Sequence, residues 1–288
     1  MNHMEHTTTS SAAMWSPGIF LIAIIFVSLY WYVIGPMRHR FAGSEPVNSQ
    51  KRFALYTAAF LFVLSEGSPI GYYGHGQSFS MHMLQMSILY LMVPPLVYIS
   101  LPDWLVRPLL QRKNVRKWLY PLTHPLLGVA LFNVIFSYYH IPLIFDSAYN
   151  NMALHQIYHV GLAVLAFHMW FPVFCPLPEW NRISDLQKLA YIFANGVLLT
   201  PACALIIFAS KVMYPQFTLP ESWVPYMTPL DDQQLGGTIM KVLQEAVYGW
   251  ALAYIFFRWY RKERKKEEAE ESFPETAQTY IVEPKRIQ

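Results

Sequence analysis

The sequence predicts an all-α integral membrane protein, a seven-transmembrane-helix bundle with its N-terminus outside and its C-terminus in the cytoplasm. Composition is the first observation: 54% of the 288 residues are hydrophobic and 14% are charged, whereas a soluble domain has about 25% charged residues. The second observation is a series of seven apolar stretches, each near the roughly 20 residues that a membrane-crossing helix needs. The third is the distribution of Lys and Arg among the connections. Two cysteines exclude a disulfide-rich secreted scaffold.

The apolar stretches define the predicted spans and the domain organisation. None of them has the polar alternation of a membrane barrel strand, so we interpret all as helices. The spans cover about residues 17–35, 52–70, 79–101, 122–141, 151–174, 188–209 and 237–259. The chain then has an outer N-terminal tail (1–16), a membrane domain (17–260) and a charged cytoplasmic tail (261–288). For this last segment we expect a short helical extension followed by disorder.

The orientation follows from the basic residues. Cytoplasmic connections are enriched in Lys and Arg, and here every second connection is basic. The N-terminal tail and the second and fourth connections have no Lys or Arg, and the sixth has only Lys211. Basic residues occupy the first, third and fifth connections and the C-terminal end: Arg38, Arg40, Lys51, Arg52, Arg107, Arg112, Lys113, Arg116, Lys117, Arg182, Lys188 and several from Arg258 onwards. Because they lie beside apolar segments, they give little support to nucleic-acid binding.

The sixth connection, residues 211–236, is the longest on the outer side. It contains four prolines together with Tyr214, Trp223 and Tyr226. Aromatic rings prefer the membrane interface, so we expect an ordered cap lying on the outer surface.

Ionisable side chains inside the membrane are costly, so each is a functional candidate. At roughly 1.5 Å of rise per residue, a group of them is predicted at one depth, in the outer leaflet. The group consists of His75, His82, His140, His155, His159, Glu66 and Glu245.

Two helical spacings point to a metal site. His155 and His159 are four residues apart and share a helix face, as do His82 and Met86. Imidazole is a common metal ligand, and thioether sulfur favours Cu(I), so this set predicts a copper site in which His75 and His140 are further candidate ligands. The alternatives are hydrogen bonding between helices for the histidines and simple packing for Met86.

Other polar residues suggest additional roles. Lys241 and Glu245 are four residues apart and most simply form a buried ion pair, while Glu66 is either a proton or metal gate or the partner of Lys241. His3 at the third position could bind Cu(II) in a square plane with the terminal amine and two backbone amides.

Several segments resemble the CtaG family of cytochrome c oxidase assembly factors, especially its Bacillus-type multi-span members. The similarity extends over about residues 15–262. The segments are SMHMLQMSILYLMVPPLVYISLPDW from Ser80, FSYYHIPLIFD from Phe136, MWFPVFCPLPEW from Met169, GVLLTPACALIIF from Gly196 and DQQLGGTIMKVLQEAVYG from Asp232.

The resemblance implies a multi-pass protein of the bacterial cell membrane that is not an enzyme. It implies a role in making active caa(3)-type oxidase, with the oxidase catalytic subunit as partner and copper insertion into the copper-B centre as the task. In the wider family a second His often follows the Gln of the third-span motif, and Met86 occupies that place here. A thioether there favours Cu(I), or else this helix holds no metal.

Three other functions stay open at this stage. A copper permease or resistance-type protein would need ligands on both sides of the membrane. A heme-binding electron carrier would need facing histidines, which His82 and His159 could supply. A structural clamp on the oxidase would need no metal at all.

Overall fold

The computed structural model describes residues 11–217 and 227–271, and the regular structure in these ranges is helical. Five helices of 15 residues or more match predicted spans directly, and two predicted spans are divided or extended. The α-helices are α1 Pro17–Ile34, α2 Ser49–Glu66, α3 Pro69–Gly74, α4 Phe79–Ser87, α5 Val93–Ser100, α6 Asp103–Leu110, α7 Lys113–Leu122, α8 Pro125–Tyr139, α9 Pro142–Tyr149, α10 Met152–Phe174, α11 Asp185–Ile207 and α12 Pro229–Glu271.

Some of these helices could span a membrane. Four helices are long and apolar enough to cross a bilayer: α1, α4 with α5, α10 and α11. A fifth is obtained if α7 and α8, which meet at a 60° bend, are taken as one span. The 18 residues of α2 include Lys51, Arg52 and Glu66, which lowers its hydropathy. The protein is therefore an all-helical membrane protein, and the count of seven spans and its orientation stay predictions.

Both ends of α12 differ from those of the predicted seventh span. α12 begins at Pro229, eight residues before the predicted start, and continues to Glu271 as one helix of 43 residues. The expected helical extension of the tail is thus present up to Glu271, and the predicted disorder of residues 272–288 lies outside the described residues.

Of the predicted outer cap, Tyr214 is buried and donates a hydrogen bond to the carbonyl of His140 at 2.6 Å.

The third predicted span is formed by α4 and α5, which are joined by a segment of irregular helix. Pro94 and Pro95 lack the N–H that a helix needs four residues after Tyr90 and Leu91, so the ladder opens into a π-helical segment, Ile88–Met92. The free carbonyl of Tyr90 accepts a hydrogen bond from Trp170 Nε1 at 3.1 Å, which joins this span to α10. The proline pair thus creates a specific contact between two neighbouring helices.

The start of α12 anchors two parts of the structure through consecutive side chains. The buried Asp232 carboxylate accepts hydrogen bonds from the Ser78 hydroxyl (2.9 Å) and from the backbone N–H groups of Phe79 (2.6 Å) and Ser80 (3.2 Å). It therefore caps the first turn of α4, whose N–H groups have no partner within the helix. Gln233 accepts from the Met213 N–H at 2.7 Å and so holds the preceding loop.

Two glycines next to this anchor allow close packing. A Cβ on Gly236 would lie 2.7 Å from Phe79 Cδ1, and a Cβ on Gly237 would lie 2.9 Å from Ile206 Cγ2. α12 can therefore approach α4 on one side and α11 on the other only because these positions have no side chain.

The opposite end of the bundle is joined by ion pairs. Asp185, in the first turn of α11, accepts from Arg258 at 2.5 Å and from Lys262 at 2.8 Å, both on α12. Arg107 on α6 binds Glu179 at 2.7 Å. Each pair links segments that are distant in the sequence, and the pairs lie on the side where the basic connections are predicted.

Replacing Asp232 by Ala tests the cap of α4. The change leaves three buried donors without their acceptor, and we expect a loss of about 2–4 kcal/mol in the free energy of unfolding. Thermal unfolding of the detergent-solubilised protein measures this loss. The control is Asp231→Ala, because Asp231 is exposed and bonds only Thr228 beside it. An equal loss in both variants would contradict the cap.

Candidate functional site

The site is built where α3, α4 and α10 meet. The α4 cap places His82 at the end of the first helical turn, where the side chain is 2% exposed. Aromatic rings enclose it: Phe79, Tyr139, Phe145 and Phe217 have ring centroids between 5.6 and 6.4 Å from that of His82. The imidazole is thus fixed in the interior of the protein rather than facing lipid.

Four histidine rings come together at this point. His75, from the end of α3, lies with its ring centroid 5.8 Å from that of His155 and 6.1 Å from that of His159. His155 lies 6.4 Å from His82 and 6.1 Å from His159 by the same measure. The third and fifth predicted spans are therefore neighbours, as a shared site requires. We call these four residues the histidine cluster.

The ring nitrogens of the histidine cluster differ in their partners. His75 Nδ1 lies 2.6 Å from the carbonyl of Gly71, which fixes Nδ1 as the donor and leaves Nε2 with a free lone pair. The Tyr139 hydroxyl lies 3.4 Å from His155 Nδ1. In contrast, His82 Nε2 and His159 Nε2 are buried and have no hydrogen-bond partner in the structure. Buried polar atoms are nearly always paired, so these two nitrogens require an explanation.

Glu66 lies at the edge of the histidine cluster. Its Oε1 accepts a hydrogen bond from Gln85 Nε2 at 3.1 Å and is 4.0 Å from His159 Nε2. The prediction of Lys241 as the alternative partner of Glu66 is wrong, because Lys241 instead bonds Glu245 and Thr200. Glu66 thus remains a candidate gate beside the imidazoles.

A cleft of about 600 Å³ lies against one side of the histidine cluster. Glu66 and His75 line it, and the remaining wall comes from the segment before α1 and from α3. The other lining residues are Ala13, Met14, Trp15, Ser16, Pro17, Ser68, Gly71, Tyr72 and Gln77. Two members of the candidate site therefore border a space that is open from outside the bundle.

The loop that holds His75 is fixed by α9. The Tyr149 hydroxyl donates a hydrogen bond to the His75 carbonyl at 3.2 Å. Burial raises the pKa of Tyr149, so this hydroxyl keeps its proton and remains a donor. Tyr149 also has a ring contact with His155 at 5.9 Å, so one side chain orients two members of the cluster.

The other predicted ligands are placed differently. Met86 is fully buried in the hydrophobic core with Met83 and Tyr90. The His140 ring lies tilted against the Phe136 ring, with 4.2 Å between the centroids, and its Nδ1 lies 2.8 Å from the Phe136 carbonyl. His3 lies outside the described residues.

His75 was a weaker candidate ligand than His82, His155 and His159 because it lies in a connection between predicted spans. The signal that could have found it is its position between Gly74 and Gly76, directly before the third span.

No metal site is preformed in residues 11–217 and 227–271. In these ranges, no group of three or more His, Cys, Asp or Glu side chains is arranged so that it could hold a metal ion. The histidine cluster brings imidazoles together, but their nitrogens do not yet converge on one point.

Lys241 and Glu245 form the predicted ion pair, at 2.6 Å, and the Lys241 ammonium also donates to Thr200 Oγ1 at 2.8 Å. The pair is not buried, however: the side chains are 27% and 63% exposed, respectively. Lys241 and Gln244 both face α11, where they donate to Thr200 Oγ1 and to the Gly196 carbonyl, whereas the Glu245 side chain is largely exposed. This partly exposed pair is therefore separate from the buried histidine cluster.

Comparison with known proteins gives one match. The family model described as cytochrome c oxidase caa3 assembly factor (Caa3_CtaG) matches residues 28–262, which is most of the chain. No curated protein and no solved structure matches the sequence.

The Lys241–Glu245 pair can be tested by breaking one side of it. Lys241→Met leaves the Glu245 carboxylate without its cation on a helix predicted to cross the membrane, where a lone charge costs about 2.5–3.5 kcal/mol. We expect less protein in the membrane for this variant than for Lys241→Met combined with Glu245→Gln, as measured by immunoblot. Lys265→Met, at an exposed position of the same helix, is the control. A double variant as poor as the single one would contradict a structural pair.

Proposed function

This chain belongs to the family of cytochrome c oxidase caa3 assembly factors, and on that premise we propose that it holds copper and passes it to the copper-B centre of the oxidase catalytic subunit. Copper is here the cargo of the protein, not a permanent cofactor. The histidine cluster is the proposed holding site, and the oxidase subunit is the proposed receiver.

One observation supports this proposal above all others: His82 Nε2 and His159 Nε2 are buried without a partner. Leaving a buried polar atom unpaired costs about 1–3 kcal/mol, so two such atoms in one histidine cluster favour a ligand that would pair with them. A neutral imidazole nitrogen with a free lone pair is a metal ligand. An ion bound between the rings would satisfy both atoms.

The donor chemistry is compatible with copper. The histidine cluster contains imidazoles without a cysteine, and imidazole suits copper, zinc and iron. The hydrogen bond from His75 Nδ1 to a backbone carbonyl is the arrangement that metal-binding histidines use to orient the other nitrogen.

The spacing of the rings is close to that of a shared ion. A metal–nitrogen bond of roughly 2.0–2.1 Å places each ring centre about 3 Å from the ion, so two ligand rings lie within about 6 Å of each other. The observed ring separations of 5.8–6.4 Å are at or slightly beyond this limit, so the rings would have to turn and move closer together to share an ion.

Glu66 and the cleft supply a route for the cargo. The carboxylate lies between the cleft and His159, and it is held by Gln85 from the same helix as His82. A negative group at this place attracts a cation and can hand it to an imidazole. In the proposed orientation the cleft opens to the outer side of the membrane.

The proposed topology has seven spans with the N-terminus outside. It is supported by the Lys and Arg alternation and by the positions of the long helices. The histidine cluster is then in the outer leaflet of the bacterial cell membrane, which is the level of the copper-B centre implied by the family resemblance.

Three alternatives have weaker support. A copper permease needs free ligands in the inner half, but His168 bonds the Leu122 carbonyl at 2.5 Å, and His124 accepts from the Leu126 N–H. A heme carrier needs a flat slot between two histidines, but the rings of Tyr139 and Phe145 pack against His82. A structural clamp without metal would leave the unpaired nitrogens unexplained.

Metal analysis of the purified protein tests the holding site. Wild type loaded with Cu(I) should retain copper after desalting, and His155→Ala with His159→Ala should lose most of it, because two of the four imidazoles are gone. The same variant should fail to mature the oxidase while remaining in the membrane. The control is His39→Ala, an exposed histidine outside the cluster.

Either of two results would overturn the copper proposal. Equal copper retention by the double variant and wild type would remove the cluster as the ligand set. A Soret band in the absorption spectrum of the purified protein would identify heme instead.

Reporter fusions test the topology. Fusions at Gly76 and Asp231 should report the outer side, and fusions at Lys113 and Lys266 should report the cytoplasm, because the positive-inside rule assigns the basic connections there. A reversed signal at any of the four positions would refute the seven-span arrangement. Enzymatic reporters that are active on opposite sides provide matched controls for expression.

A further inference from the structure

A short helical hairpin lies between the third and fourth predicted spans. It consists of α6 (Asp103–Leu110) and α7 (Lys113–Leu122). α7 meets α8 at a 60° bend, so it does not continue the direction of the spanning helix that follows. A helix at such an angle to a span can lie along the membrane surface.

The faces of α7 agree with an interfacial position. Val115 and Leu119 pack against the cluster formed by Phe171 and Trp180. Trp118 and Leu122, four residues apart on another edge, are 72% and 57% exposed. An interfacial helix places apolar and aromatic side chains into the headgroup boundary in this way.

The polar side of α7 has an excess of positive charge. Lys113, Arg116 and Lys117 are exposed and have no carboxylate partner among the ion pairs of the described residues. The Glu179 carboxylate is taken by Arg107 at 2.7 Å and by Gln111 Nε2 at 3.0 Å. Within the described part of the chain, the three cations are therefore not neutralised by an ion pair.

These cations share a pocket of about 430 Å³. Lys113, Arg116 and Lys117 line it together with Gln111, Tyr120 and Pro121. The Arg116 guanidinium lies 5.7 Å from the centre of the Tyr120 ring, and the Lys117 ammonium lies 5.7 Å from the centre of the Trp118 ring. The pocket thus combines three positive charges, an amide and aromatic walls.

We propose that this pocket binds the phosphate headgroup of an anionic phospholipid, with the acyl chains lying beside Trp118 and Leu122. A phosphate diester matches the charge of the pocket and can accept hydrogen bonds from Gln111 and Arg116. The exposed apolar edge elsewhere on the same helix distinguishes a lipid from a soluble anion, which has nothing to place there. Basic clusters at the cytoplasmic end of spans attract anionic lipid in general, at about 1 kcal/mol per Lys or Arg.

The experiment uses the full chain in detergent, titrated with phosphatidylglycerol and observed by native mass spectrometry. Wild type should bind one lipid more tightly than the rest, and K113Q/R116Q/K117Q should weaken that binding by about 10- to 100-fold at low salt. The control, R264Q/K265Q/K266Q, removes the same charge from α12. Because Arg264 and Lys266 already pair with Glu268 and Glu263, this control should change the binding little.

Further arms separate the lipid from other ligands. Phosphatidylcholine, which has no net charge, should not compete, and inorganic phosphate should not displace the bound lipid. Displacement by inorganic phosphate, displacement by an acidic peptide, or equal affinity of the α7 variant and wild type would each overturn the proposal. Copper retention should be unchanged in the α7 variant, so failure here is distinct from failure of the copper site.

Discussion

The contact of Asp232 with the first turn of α4 is the constraint on which the site depends. One carboxylate satisfies Ser78, Phe79 and Ser80 at the point where α4 begins, and it comes from the far end of the sequence. α4 in turn presents His82 to the interior and Gln85 to Glu66. A change at the start of α12 would thus be transmitted to the imidazoles without touching them.

A second constraint comes from the proline pair after the site. By opening the helical ladder, Pro94 and Pro95 free the Tyr90 carbonyl for Trp170, and the Tyr90 hydroxyl donates to the carbonyl of His159 at 3.1 Å. Tyr90, in the π-helical segment, therefore contacts α10 at two positions along that helix. The two spans that supply His82, His155 and His159 are fixed relative to each other by polar contacts and not by apolar packing alone.

The sequence predicted the long helices well, because hydropathy and length report directly on apolar segments. It did not predict α3, α7 or the π-helical segment, which depend on prolines and on packing between distant residues. For the site, spacing placed His155 and His159 on one face, but their approach to His82 and His75 is tertiary. The sequence could pair Lys241 with Glu245 by spacing, yet it could not tell that the pair faces outward. The role of Asp232 could not be predicted either, because it depends on a contact between α12 and α4, which are far apart in the sequence.

The length of α12 has a consequence for whatever meets the end of this protein. Its 43 residues give a rod of about 64 Å, roughly twice the thickness of the hydrocarbon core. The helix continues about 18 Å past Trp259, where the predicted seventh span ends. If Trp259 marks the edge of the hydrocarbon core, the last turns of α12 up to Glu271 lie beyond that core by about one and a half helix diameters. A soluble factor could bind these last turns without competing with the bilayer for space.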